Sequence, residues 1–192
     1  MVAGFSRLSL ILVGAGFSRL NDDMIRPILR YGEDVLHQPA NPVAEITPDI
    51  RQLIDDMVQT MYAAPGIGLA ATQIGVPLRI FVADVSGGHN PADLLTFINP
   101  QLVEATGSQY EDEGCLSVPG FNATVARPAR AVVKGLGRDG QEQVVEGTGL
   151  LARCFQHELD HLDGTLFVDR LRGLQKDLIV RKIKKLTRTG KW

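Results

Sequence analysis

The five residues His157-Glu158-Leu159-Asp160-His161 constrain this chain more than any other stretch, because an H-E-x-x-H pattern makes chemical sense only on an α-helix. Histidines at i and i+4 project from one helix face a single turn apart, close enough to share a metal ion. Glu158 then stands between them, free to act as a base. The flanking residues agree: Leu151, Phe155, Leu159 and Leu162 share a face and Gly164 supplies a stop, which predicts a helix from Leu150 to Leu162.

A catalytic site of this kind needs three protein ligands and an open fourth position for water. Endopeptidases built on the motif take their third ligand downstream as His or Glu, and neither residue type follows His161. Cys154 precedes His157 on the same side of the helix, but it lies two turns, roughly 10 Å, from His161, so those three side chains do not converge easily. Cys115, within Glu113-Gly114-Cys115-Leu116-Ser117, comes from another segment and escapes this limit, with Gly114 offering the backbone freedom to aim the sulfur. As a thiolate Cys115 would complete a Cys-His-His set. A free cysteine is more often a small buried hydrophobe, and that reading stands beside the ligand one.

The rest of the chain reads as mixed helix and strand. Thr47 can cap a helix with Pro48 in its first turn, and Ile50, Leu53, Ile54, Met57 and Met61 recur at helical spacing until Gly66. Arg79 to Val85 and Leu94 to Val103 are candidate strands, and Ala131 to Glu146 is a hairpin broken at Arg138-Asp139-Gly140. A last helical pattern, Leu171 to Leu186, carries Lys176, Arg181, Lys182, Lys184 and Lys185. With 192 residues and 44% hydrophobic composition, one sizeable core is expected. No linker divides 24–192, so an α+β fold in a single catalytic domain is predicted there.

Residues 1–23 are set apart as a leader or an upstream-start extension, with Met24 as an alternative start. Residues 1–20 hold Arg7, Arg19, three serines and no acid, and the six residues Ala3 to Leu8 recur as Ala15 to Leu20. The apolar run Leu8 to Val13 is too short to span a membrane. A formal net charge of -2 does not suggest a protein that coats nucleic acid, although the last stretch of the chain is more basic than that average. Two cysteines in a chain this size call for no disulfide, so a reducing compartment is expected, a bacterial cytoplasm or an organelle if 1–23 is a transit segment.

Three segments, Gly66-Ile67-Gly68-Leu69-Ala70-Ala71-Thr72-Gln73, Glu113-Gly114-Cys115-Leu116-Ser117 and Gln156-His157-Glu158-Leu159-Asp160-His161, resemble in order and spacing the signature motifs of the peptide deformylase family. The resemblance runs from about Met24 through the basic C-terminal helix. It implies antiparallel sheets packed around a central motif-bearing helix, with a helix towards each end. It also implies a metallo-amidase that removes the formyl group from N-terminal formylmethionine of nascent polypeptides, releasing formate.

By that resemblance Cys115, His157 and His161 bind one divalent metal and Glu158 is the acid/base, while Gln73 and the Leu116 amide hold the oxyanion. Fe²⁺ is the implied ion, although the same donors would accept Zn²⁺, Ni²⁺ or Co²⁺. Ile67, Gly68, Leu150 and Cys154 are the expected lining of an apolar methionine pocket. Asp160 is a candidate to orient a ligand histidine, or else a helix-surface charge or salt-bridge partner. The position after Phe121, an arginine in many bacterial members, is Asn122 here, which leaves peptide preference beyond methionine open. The basic helix could touch ribosomal RNA through salt-sensitive phosphate contacts, or be a solvated face; no membrane or other nucleic acid is expected as a partner. Two rivals remain, an H-E-x-x-H endopeptidase and a non-enzymatic module folded around its metal.

Overall fold

The Thr47-Pro48 start behaves as its chemistry demands. In the computed structural model, which describes residues 24–192, helix α1 spans Pro48–Ala63 and Thr47 Oγ1 accepts from the Ile50 N–H at 3.3 Å. Pro48 sits in the first turn, where its missing N–H leaves nothing unsatisfied. The leader expected over 1–23 lies outside the described residues.

Seven strands follow: β1 Gly68–Ala70, β2 Ile80–Ala83, β3 Leu95–Thr106, β4 Gln109–Gly114, β5 Asn122–Arg127, β6 Arg130–Leu136 and β7 Glu142–Thr148. They form a five-stranded sheet of order β1-β2-β3-β6-β7 and a separate β4-β5 hairpin, antiparallel at every pairing. The predicted hairpin at Arg138-Asp139-Gly140 is the β6-β7 turn, closed by the Gly137 N–H to Gln141 O at 2.9 Å.

Both faces of the sheet are covered, which explains why β2 is an unbroken apolar run. Ile80 and Val82 pack with Leu53, Ile54, Met57 and Met61 of α1, whereas Phe81 and Ala83 face the other way, towards Phe155, Leu159 and Leu162. Those three belong to α2, Gly149–Leu162, which packs against β1, β2, β3, β6 and β7. Phe81, Phe97 and Phe155 meet there with ring centroids 5.0 to 6.2 Å apart and no solvent exposure. Each such ring contributes about 1.5–3 kcal/mol by burial, so the helix bearing the H-E-x-x-H motif is pinned to the sheet by its apolar face.

Gly164 ends α2 as expected, at φ +73, and a side chain there would overlap the Gln38 backbone. A short α3, Phe167–Arg170, and then α4, Gly173–Arg188, complete the fold. α4 begins later than the sequence pattern suggests, because Leu171 is extended and buried in a second core with Leu36, Val118, Val125 and Phe167. Only Ile179 and Ile183 of α4 are buried. Among the described residues no helix is long and apolar enough to cross a membrane.

Candidate metal centre and active-site cleft

Two elements bring the site together. The β4-β5 hairpin carries Cys115 just past the end of β4, and α2 presents His157, Glu158 and His161. One donor atom from each of Cys115, His157 and His161 falls within 4.8 Å of the others, and Cys115 Sγ is 3.2 Å from His161 Nε2. The sulfur is aimed by a turn in which the Val118 N–H donates to Cys115 O at 2.9 Å and the Ser117 N–H donates to Sγ at 3.4 Å. Gly114 is not what aims it. Its φ lies outside the left-handed region, and a Cβ there would meet nothing nearer than Phe121 O at 3.8 Å.

His157 Nδ1 lies 3.1 Å from Glu113 Oε2, which fixes the ring and leaves Nε2 towards the sulfur. Glu113 is in turn held by Arg127, whose side chain is 1% exposed and binds Glu113 through Nε and Nη2 and Asp160 through Nη1 at 2.9 Å. Asp160 is clasped again by Arg170. The sequence reading offered Asp160 as a carboxylate for a ligand histidine. That partner is Glu113, and Asp160 hydrogen bonds to neither histidine; its salt-bridge alternative is the arrangement found.

Charge in this cluster is strongly perturbed. The Glu158 carboxyl is pushed up to about 7 by burial, against the pull of His157 and Arg127, and its Oε2 is buried without a hydrogen-bond partner. Burial, reinforced by His157 and Arg127, holds His161 neutral, which keeps an imidazole lone pair available. Burial opposes a proton on His157, but the hydrogen bonds to Cys115 and Glu113 overcome it and raise its pKa well above the usual histidine range. The Glu113 carboxyl is held down at about 2, its burial outweighed by Arg127 and His157.

Gln73 is buried on the opposite wall, in a 3-10 turn, Ala71–Ile74, directly after β1. Its Oε1 accepts from the Ala70 N–H at 2.9 Å, so the amide nitrogen must face the site, 3.2 Å from Ser117 Oγ and 3.6 Å from Cys115 Sγ. A cleft of about 410 Å³ opens beside these groups. Ile67, Gly68, Leu150 and Cys154 all line it, as do Gln73 and Leu116, whereas Asn122 is exposed and does not. Gly68 has a steric reason to be glycine: a Cβ there would overlap Glu158 Oε1 and stand 2.9 Å from Cys154 Sγ.

The sequence also matches the polypeptide deformylase family model over residues 25–177. It belongs to that family. The peptide deformylase of Acidobacterium capsulatum is 47% identical over 169 residues, 88% of this chain and 99% of that protein. The crystal structure of a Legionella pneumophila peptide deformylase superposes with a TM-score of 0.81 at 43% identity, covering 87% of this chain and 98% of that one. The Met-Ala-Ser-bound class I type b peptide deformylase from Acinetobacter baumannii gives a TM-score of 0.72 at 32% identity, covering 78% of this chain and all (100%) of that one.

Deformylases are metal-dependent hydrolases that remove the N-terminal formyl group from nascent polypeptides, and this member has a donor set that fits such an ion. One thiolate-forming sulfur and two imidazoles suit a borderline transition metal, and the Glu113 contact matches the outer-shell support that ligand histidines usually have. Arg127, Glu113 and Arg170 are the residues that sequence reasoning passed over. Glu113 stands two places before Cys115 in the Glu113-Gly114-Cys115-Leu116-Ser117 segment, and that closeness was the available signal.

Proposed function

We propose that this chain hydrolyses the formyl amide of N-terminal formylmethionine on nascent polypeptides, with Cys115, His157 and His161 holding one divalent ion and residues 24–192 acting as one catalytic unit. The observation that carries the reading is a sulfur and two imidazole donors within 4.8 Å of one another beside a buried Glu158 whose Oε2 has no hydrogen-bond partner. When bound, the ion supplies Lewis acidity, which brings the pKa of a ligated water down to about 7. Glu158 takes the proton from the attacking water and delivers it to the methionine nitrogen as the C–N bond breaks, leaving formate and a free amine.

Gln73 Nε2 and the Leu116 N–H donate to the formyl oxygen as it gains negative charge. Gln73→Ala is therefore expected to lower kcat by about 10²–10³-fold, read from initial rates at saturating peptide. Full turnover in that variant would remove Gln73 from the reaction. Ile67, Gly68, Leu150 and Cys154 receive the methionine side chain, which accords with their place on the cleft.

Fe²⁺ is the ion this reading assigns, checked by metal analysis after anaerobic purification, since the same donors accept Zn²⁺, Ni²⁺ and Co²⁺. The enzyme works, in this reading, in a bacterial cytoplasm, as its bacterial relatives and two free cysteines support. Its α4 meets ribosomal RNA mainly through Arg181, Lys184 and Lys185, because Lys176 already pairs with Asp169 at 3.3 Å and Lys182 covers the Phe121 ring. Release of formate from formyl-Met-Ala-Ser tests the activity. Cleavage of an internal peptide bond without formate would favour an endopeptidase instead.

A further inference from the structure

The cleft wall contains a cation that the reaction does not use. Arg153 lines the cleft from α2, and its side chain is 16% exposed. Its Nη1 is buried with no hydrogen-bond partner. Its ion pair is with Glu111 at 3.9 Å, beyond hydrogen-bond distance, and that carboxylate is 63% exposed on β4. Of the other acidic groups on the wall, Glu113 is held by Arg127, Asp112 Oδ1 accepts from the Thr124 hydroxyl at 2.6 Å, and Glu158 is the group assigned to the reaction.

We propose that Arg153 is a specificity-determining residue that binds a side-chain carboxylate at the second position of the substrate peptide. The inference rests on the deformylase reading of the cleft. A guanidinium offers five donors in a planar fork, and Arg153, whose Nη1 has no hydrogen-bond acceptor, is short of a bond that a ligand can supply. A carboxylate meets that fork with two charge-assisted bonds, which an uncharged or basic side chain cannot do. The position suits the second residue. Arg153 is drawn towards the exposed Glu111 at the edge of the cleft, outside the buried Cys154 that faces the methionine, which is where the residue after methionine would pass.

The test compares kcat and KM for formyl-Met-Asp-Ser and formyl-Met-Lys-Ser in the metal-loaded protein and in Arg153→Met, Arg153→Lys and Glu111→Gln. The unaltered protein should show the lower KM for the Asp peptide. In Arg153→Met that KM should rise about 10-fold while kcat changes far less, which a general loss of structure would not produce. Arg153→Lys should keep part of the preference, and Glu111→Gln should sharpen it by removing the competing carboxylate. Equal KM values for the two peptides in the unaltered protein, or a preference that survives in Arg153→Met, would overturn the assignment. Should neither peptide be deformylated, the activity reading falls separately, and calorimetric binding of Met-Asp-Ser against Met-Lys-Ser decides the role of Arg153 by the same comparison.

Discussion

Glu158→Gln is expected to lower kcat on formyl-Met-Ala-Ser by about 10²–10⁴-fold while one metal ion remains bound per chain. The amide has the shape of the carboxylate but cannot accept the attacking water's proton or return it to the departing nitrogen. Because Glu158 Oε2 has no hydrogen-bond partner, exchanging it for an amide breaks no hydrogen bond, and the proposed donors Cys115, His157 and His161 are untouched. Metal content by elemental analysis and an unchanged melting curve therefore separate a chemical defect from a folding one. Turnover close to that of the unaltered protein would take the proton transfer away from Glu158.

The second large effect is on stability. Arg127→Met should cost about 3–5 kcal/mol, because it leaves Glu113 facing a buried pocket without its cation and strips Asp160 of one of its two arginines. For a chain of this size each kcal/mol moves the midpoint by roughly 2–4 °C, so thermal unfolding should shift down by roughly 6–20 °C. The same change frees the carboxylate that orients His157, and metal affinity should fall about 10–100-fold, measurable by titration below the new midpoint. A variant that melts normally would mean that this buried ion pair holds neither the hairpin nor the ligand in place.

What the sequence could reveal followed the strength of the local signals. α1 was legible because a cap, a proline and apolar residues at helical spacing all pointed one way, α2 because an apolar face ended at Gly164, and β2 because a β-branched run has few alternatives. The β4-β5 hairpin was not. Gln109–Gly114 is polar and acidic, and its structure comes from pairing with β5 and from Arg127, contacts made across the chain. β1 is three residues long and holds its place by pairing with β2.

Within the site, the motif residues could be picked out individually, whereas the chain from Glu113 through Arg127 to Asp160 and Arg170 depends on four segments meeting. Asp160 illustrates the difference. Its position between the histidines in sequence suggested that it served one of them, but a residue one place before His161 on a helix points about 100° away from it. Arg127 and Arg170 meet it on that side.

Gly68 couples the main chain of β1 to the placement of Glu158. Any side chain introduced at this position would run into Glu158 Oε1, so this stretch of the cleft wall and the placement of that carboxyl group can change only together.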